Sequence, residues 1–203
     1  MTKGHHVLVM DTRGEGRSVN NGTPLTYPLL ASDAAGLLAA LGYANAAWVG
    51  WSDMGTAAYA ALMDAGLAPR VERLFDFGGT HAANATNATF ADTAIYSEFS
   101  SRALVEFHTF QPTANVAAAA LAIADLEANQ TTWSQADFAP IKLGSKVTVA
   151  AAQYDEAVVR TEPALLQSWI AGSKLVTLTN VSHFAPLQDP KQFAAALETF
   201  LTA

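Results

Sequence analysis

Short apolar runs alternate along this chain with longer stretches whose apolar residues recur at three- and four-residue spacing. The first pattern suits a buried strand, the second a helix with one buried face. Val7, Leu8, Val9 and Met10 predict a strand ending at Asp11, with a glycine-rich turn after it (Arg13-Gly14-Glu15-Gly16-Arg17-Ser18). Residues 29–41 predict a helix that stops at Gly42, a residue suited to the left-handed turn that closes helices. An apolar strand over 46–49, a tight turn at Ser52 and a helix over 56–65 follow. Val71–Phe77 predicts another strand, halted by Gly78 and Gly79. A strand over Val147–Ala152, a helix over 163–170, a strand over 175–178 and a helix over 193–201 complete the series. This alternation predicts an α/β fold with a mostly parallel sheet wound on both faces.

Residues 80–140 break the rhythm. They are rich in Ala, Asn and Thr, carry helical patterns near 92–107 and 117–128, and contain no convincing strand. In one domain spanning residues 1–203, such a segment predicts a helical lid over the carboxyl ends of the strands, where ligands bind in folds of this class.

Hydrophobic residues make up 51% of the 203 positions and charged residues only 14%, well below the roughly 25% of ordinary soluble domains. A surface so poor in charge favours a protein–protein contact, and a homodimer is the expectation. A net charge of −7 with no Lys/Arg cluster argues against nucleic acid and anionic membranes. No apolar run approaches the roughly 20 residues of a membrane span, and residues 1–6 do not read as a signal peptide. Sequons at Asn21, Asn84, Asn87, Asn129 and Asn180 permit glycosylation in an exported protein, so the compartment stays open between a cytoplasmic default and secretion. Without cysteine there is neither a disulfide framework nor a thiolate metal site, and the histidines lack metal-ligand spacing apart from the adjacent His5 and His6. Neither metal nor cofactor is expected.

The chemistry centres on Gly50-Trp51-Ser52-Asp53-Met54-Gly55, placed between a strand and a helix. A serine at such a turn is lifted above the sheet, and the following backbone N–H groups and the helix N-terminus favour developing negative charge. It needs a base to take its proton and an acid to orient that base. Asp155 follows the strand over 147–152 and His183 the strand over 175–178, both at the edge that carries Ser52. Glu156 and Asp125 are the alternatives to Asp155. As a simpler role, Ser52 could cap its helix and Asp155 could cap the helix region at Pro163. Asp53 suits the helix dipole. Trp51 packs beneath or beside the pocket, His81 is a candidate for its lining, and His108 belongs to the lid surface.

In order, Asp11-x-Arg13-Gly14-x-Gly16-x-Ser18, Gly50-Trp51-Ser52-Asp53, Tyr154-Asp155-Glu156 and Asn180-Val181-Ser182-His183-Phe184 resemble the landmarks of the α/β-hydrolase superfamily, most of all its small serine esterases with a helical lid. The resemblance spans most of the chain outside residues 80–140. It implies Ser52 as nucleophile, His183 as general base and then acid, Asp155 as orienting carboxylate, and the Asp53 N–H as an oxyanion donor, with Trp51, Met54 and His81 around the substrate. The implied function is hydrolysis of a carboxylic ester or related acyl compound. A carbon–carbon bond hydrolase and a non-catalytic binding protein on a shortened scaffold are the alternatives. A serine nucleophile disfavours the dehalogenase and epoxide-hydrolase branches.

Two departures from the family stand out. Met54 occupies a position that is usually glycine, where helix and strand approach closely; methionine's flexibility and the small Ala57 and Ala58 nearby are what could accommodate it. The chain also opens at what resembles the family's fourth strand, without the three that precede it or the loop bearing a second oxyanion donor. The gap falls beside the elbow strand, and three outcomes are open: the first strand here covers it, a second copy of the chain covers it, or the chain is a fragment or shortened variant of a longer hydrolase.

Overall fold

A computed structural model describes residues 4–202. Four strands, β1 (Ala46–Trp51), β2 (Val71–Phe77), β3 (Val147–Ala152) and β4 (Lys174–Leu178), form one parallel sheet in the order β1-β2-β3-β4. Helices α1 (Tyr27–Ala40) and α2 (Asp53–Met63) flank β1 in sequence. Between β2 and β3 lie α3 (Ala94–Phe110), α4 (Val116–Ala128) and the short α5 (Gln135–Phe138). Next come α6 (Glu162–Trp169) between β3 and β4, the short α7 (Ala185–Gln188) and finally α8 (Pro190–Thr202).

Local chemistry accounts for the ends of these elements. The Thr26 hydroxyl accepts from Leu29 N at 3.2 Å to cap α1, Pro28 suits its first turn, and Gly42 leaves the helix at φ 80°. Thr93 and Asn115 cap α3 and α4 in the same way.

Alternation along the strands builds two apolar layers. Leu74 and Val149 face α1, α2, α6 and Phe138, while Phe75, Phe77 and Ala150 face Leu197 and Phe200 of α8. Ala57, Ala58 and Ala61 are fully buried, which lets α2 lie close against the sheet.

The first expected strand does not form. Residues 5–10 belong to no strand, and Val7 and Val9 are 56% and 84% exposed. A lone extended segment gains little without a hydrogen-bonded neighbour, and among the described residues β1 pairs with β2 alone. The elbow strand is therefore a sheet edge among the described residues, with Val49 exposed on it. The glycine-rich turn instead docks on helices: Arg13 Nε donates to Asp33 Oδ2 of α1 at 2.7 Å, and Gln111 Nε2, past the end of α3, donates to Gly16 O at 3.0 Å. All five sequon asparagines are exposed. No helix among the described residues is long and apolar enough to cross a membrane.

Candidate active site

Ser52 holds φ 57° and ψ −122°, one of two non-glycine residues at positive φ among the described residues. Such a backbone costs on the order of 1–3 kcal/mol and persists only where its surroundings impose it. The surroundings here are backbone bonds: Ser52 N donates to Phe77 O of β2 at 2.9 Å, while Ser52 O accepts from Gly55 N at 2.9 Å and Thr56 N at 3.1 Å. Ser52 occupies the N-cap position of α2, yet its side chain makes no capping bond. The hydroxyl is thus left free of the helix's own N–H groups.

Two glycines make the turn possible. A Cβ on Gly50 would stand 2.5 Å from Met54 O and 2.6 Å from Gly55 Cα. A Cβ on Gly55 would collide with Asp76 Oδ1 and stand 3.1 Å from Gly79 Cα. The tight approach expected at position 54 thus falls one residue later, at Gly55, and Met54 is free to pack its side chain against the α1–α2 apolar layer.

Asp155 and His183 meet at the same sheet edge. His183 Nδ1 lies 3.2 Å from Asp155 Oδ2, while Asp155 Oδ1 accepts from Ala157 N and Val158 N at 2.9 and 2.8 Å. Those two backbone bonds fix the carboxylate so that its other oxygen faces the imidazole. Glu156 holds the other end of His183, its Oε2 accepting from the His183 backbone N at 3.1 Å. Asp125 lies exposed on α4. The His183 ring is buried among aromatic neighbours, stacked on Phe77 at 6.3 Å between centroids and edge-on to Phe90 at 5.8 Å, with Trp51 at 6.1 Å. Phe99 of α3 rests on Phe184 at 4.9 Å, so the segment between β2 and β3 reaches the histidine loop.

The carboxyl beside the nucleophile is held back from ionising. Burial raises the pKa of Asp53, while the hydrogen bond from Tyr27 Oη at 2.8 Å and the nearby His183 act the other way. Glu127, at the end of α4, is pushed up to about 7 by desolvation first and by Asp53 second, although the residue keeps much of its surface in water.

His81, the other expected lining residue, is committed elsewhere. Its Nδ1 and backbone N both lie 2.8 Å from Glu162 Oε1, and its ring stands edge-on to Trp169 at 5.0 Å. Sequence reasoning missed Glu162, which is 1% exposed, and Asp76, also 1% exposed. Asp76 had a signal: a carboxylate at the apolar carboxyl end of β2, between Phe75 and Phe77, on the face where alternation with Leu74 calls for an apolar side chain. It accepts from Tyr59 Oη at 2.7 Å and from Gly79 N at 2.9 Å.

Burial pushes the Asp76 carboxyl up to about 7, outweighing the bonds from Tyr59 and Gly79 and the pull of His183, with Glu162 adding to the rise. In the unfolded chain it would ionise near 3.9. Folding thus favours its neutral form, so the contribution is full below about pH 4 and is lost as pH rises through about 7, at about 1.4 kcal/mol per pH unit. Denaturant unfolding of the native protein and of Asp76→Asn at pH 5 and pH 8 is expected to show a smaller loss of stability with pH in the variant. Equal losses would mean that Asp76 does not titrate in this range.

The model of the alpha/beta hydrolase family matches residues 2–196. The chain belongs to that family. Among solved structures, this family member is similar to the enol-lactonase from Burkholderia xenovorans LB400, with 24% identity, 95% of this chain and 79% of the other covered, and a TM-score of 0.72. A hydrolase from Pseudomonas aeruginosa PA01 shares 26% identity over 95% of this chain and 78% of its own, at a TM-score of 0.70. The meta-cleavage product hydrolase CumD from Pseudomonas fluorescens IP01 has 15% identity, the same coverages and a TM-score of 0.69. No curated protein matches the chain.

Proposed function

We propose that this alpha/beta hydrolase cleaves a carboxylic ester or related acyl compound through Ser52, His183 and Asp155. What supports the reading is a strained, uncapped Ser52 just after β1 and an Asp155-bound His183 in the loop after β4, both past the carboxyl ends of parallel strands. Ser52 Oγ attacks the acyl carbon while His183 takes its proton. Asp155 stabilises the imidazolium, and His183 returns the proton to the leaving alcohol. Water then hydrolyses the acyl-enzyme by the same route. The Asp53 N–H, at the first turn of α2, is one donor to the oxyanion. Loss of a single such donor costs roughly two to three powers of ten in turnover.

The segment over residues 80–140 acts as the lid, bringing Phe90 and Phe99 to the histidine loop and favouring an apolar acyl group. The test is intact-mass detection of a fluorophosphonate adduct, which forms only on an activated serine. A folded chain that takes no adduct would leave the binding-protein reading in its place.

The homodimer is part of the same reading. The chain exposes 10846 Å², against about 9,100 Å² for a compact monomer of its mass. The unpaired edge of β1 and the exposed Val7, Val9 and Val49 contribute to that surplus. Light scattering on the eluting protein is expected to give twice the chain mass, and a monomer at micromolar concentration would refute it.

A further inference from the structure

We propose that Asp76, buried beneath the turn that follows β2, is a positioning residue: its hydrogen bonds hold the turn over residues 78–80 between α2 and His183, and so set the separation of Ser52 from its base. The proposal rests on the catalytic reading of Ser52 and His183 given above.

The turn is gripped from two sides. Asp76 Oδ1 takes the Gly79 N–H at 2.9 Å, and the Thr56 hydroxyl of α2 takes the Thr80 N–H at 3.0 Å. A Cβ on Gly79 would stand 2.5 Å from Asp76 Oδ1 and 2.8 Å from Gly55 C, so the turn lies directly against the helix that begins at Ser52. On its other side, a Cβ on Gly78 would stand 2.7 Å from His183 Cε1. Gly78 holds φ 78°, a conformation that a side chain would strain. The turn is therefore a spacer one backbone thick, with the nucleophile's helix on one face and the imidazole on the other.

Asp76 itself cannot drift. Its Oδ2 is held by Tyr59 Oη at 2.7 Å, and Tyr59 is fully buried in α2. The groups facing the Asp76 carboxyl are Tyr59 from α2, Glu162 from α6 and His183 from the loop after β4, with the Gly79 N–H from its own turn. An apolar residue would fill this position with less desolvation cost, as Leu74 does two residues earlier on the same face. What the carboxylate adds is a directed hold on Gly79. A misplacement of about 1 Å between reacting groups costs up to about a hundredfold in rate.

The test compares Asp76→Leu with Asp76→Asn by the rate of fluorophosphonate labelling of folded protein, alongside the thermal unfolding midpoint. Leucine fills the space without bonding Gly79, and labelling is expected to fall ten- to a hundredfold. Asparagine keeps an oxygen for the Gly79 N–H and is expected to restore labelling to within about threefold of the native rate. A merely structural role would shift the unfolding midpoint and leave the labelling rate of folded molecules unchanged. Native-rate labelling of folded Asp76→Leu overturns the proposal, as does failure of Asp76→Asn to restore it. Should Asp76→Leu not fold, Asp76→Ala, which removes the same bonds without adding bulk, carries the comparison. A native chain that takes no adduct overturns the catalytic reading and this proposal together, whereas an adduct insensitive to Asp76 overturns the proposal alone.

Discussion

Ser52→Ala is expected to abolish fluorophosphonate capture and to lower hydrolysis of short activated esters by at least about a thousandfold, with the fold intact. The size follows from what the hydroxyl supplies. With it gone, no acyl-enzyme forms, and only oxyanion stabilisation and binding remain to assist water. The fold is expected to survive because the Ser52 side chain makes no capping bond, while the bonds through its backbone N and O are independent of the side chain. Ser52→Gly sharpens the same experiment. Glycine occupies φ 57° without a Cβ penalty, so it is expected to be equally inactive yet about 1 kcal/mol more stable than the alanine variant. Stopped activity with gained stability is the mark of strain held for chemistry. An alanine variant that still hydrolyses ester at the native rate would remove Ser52 from the mechanism.

Gly50→Ala is expected to produce the largest loss of stability among single substitutions at the site. The added methyl would meet Met54 O at 2.5 Å and the Gly55 N and Cα at 2.6 Å, all of them backbone atoms that cannot rotate away. Relief requires β1 and the first turn of α2 to separate. That breaks the packing of Gly55 on Gly79 and loosens the bond from Ser52 N to Phe77 O. Overpacking of this kind costs about 3 kcal/mol or more, which for a chain of this length lowers the unfolding midpoint by on the order of 10 °C. Adduct formation at Ser52 is expected to fall with it, because the hydroxyl loses its fixed place. A midpoint within about 2 °C of the native value would show that the turn can open without cost.

Much of the architecture could be read in advance because its signals are local. The apolar runs over Val71–Phe77 and Val147–Ala152 form β2 and β3 at those bounds. Gly42 ends α1 within a residue or two of the expected place, and the helical spacings near 92–107 and 117–128 appear as α3 and α4. The chain order of Ser52, Asp155 and His183 at strand ends was likewise visible, because a parallel sheet puts all its strand ends of one sense on one edge.

Val7 to Met10 shows where local pattern stops. Its apolar run is as strand-like as that of β1, but a strand exists only with a partner to share its hydrogen bonds, and among the described residues no strand pairs with it. The same holds for Met54. Its conflict with the usual glycine is resolved by Gly55, Asp76 and Gly79, residues brought together from α2 and the end of β2. Asp76 and Glu162 read along the chain as stray carboxylates, and only packing reveals that Tyr59, Gly79 and His81 hold them. Periodicity and turn chemistry along the chain were enough to settle most of the elements and which edge bears the serine, since both depend on neighbours in sequence. Distances between side chains from different strands, and the ionisation they impose, came only with the tertiary structure, because burial and close approach are properties of residues far apart in sequence.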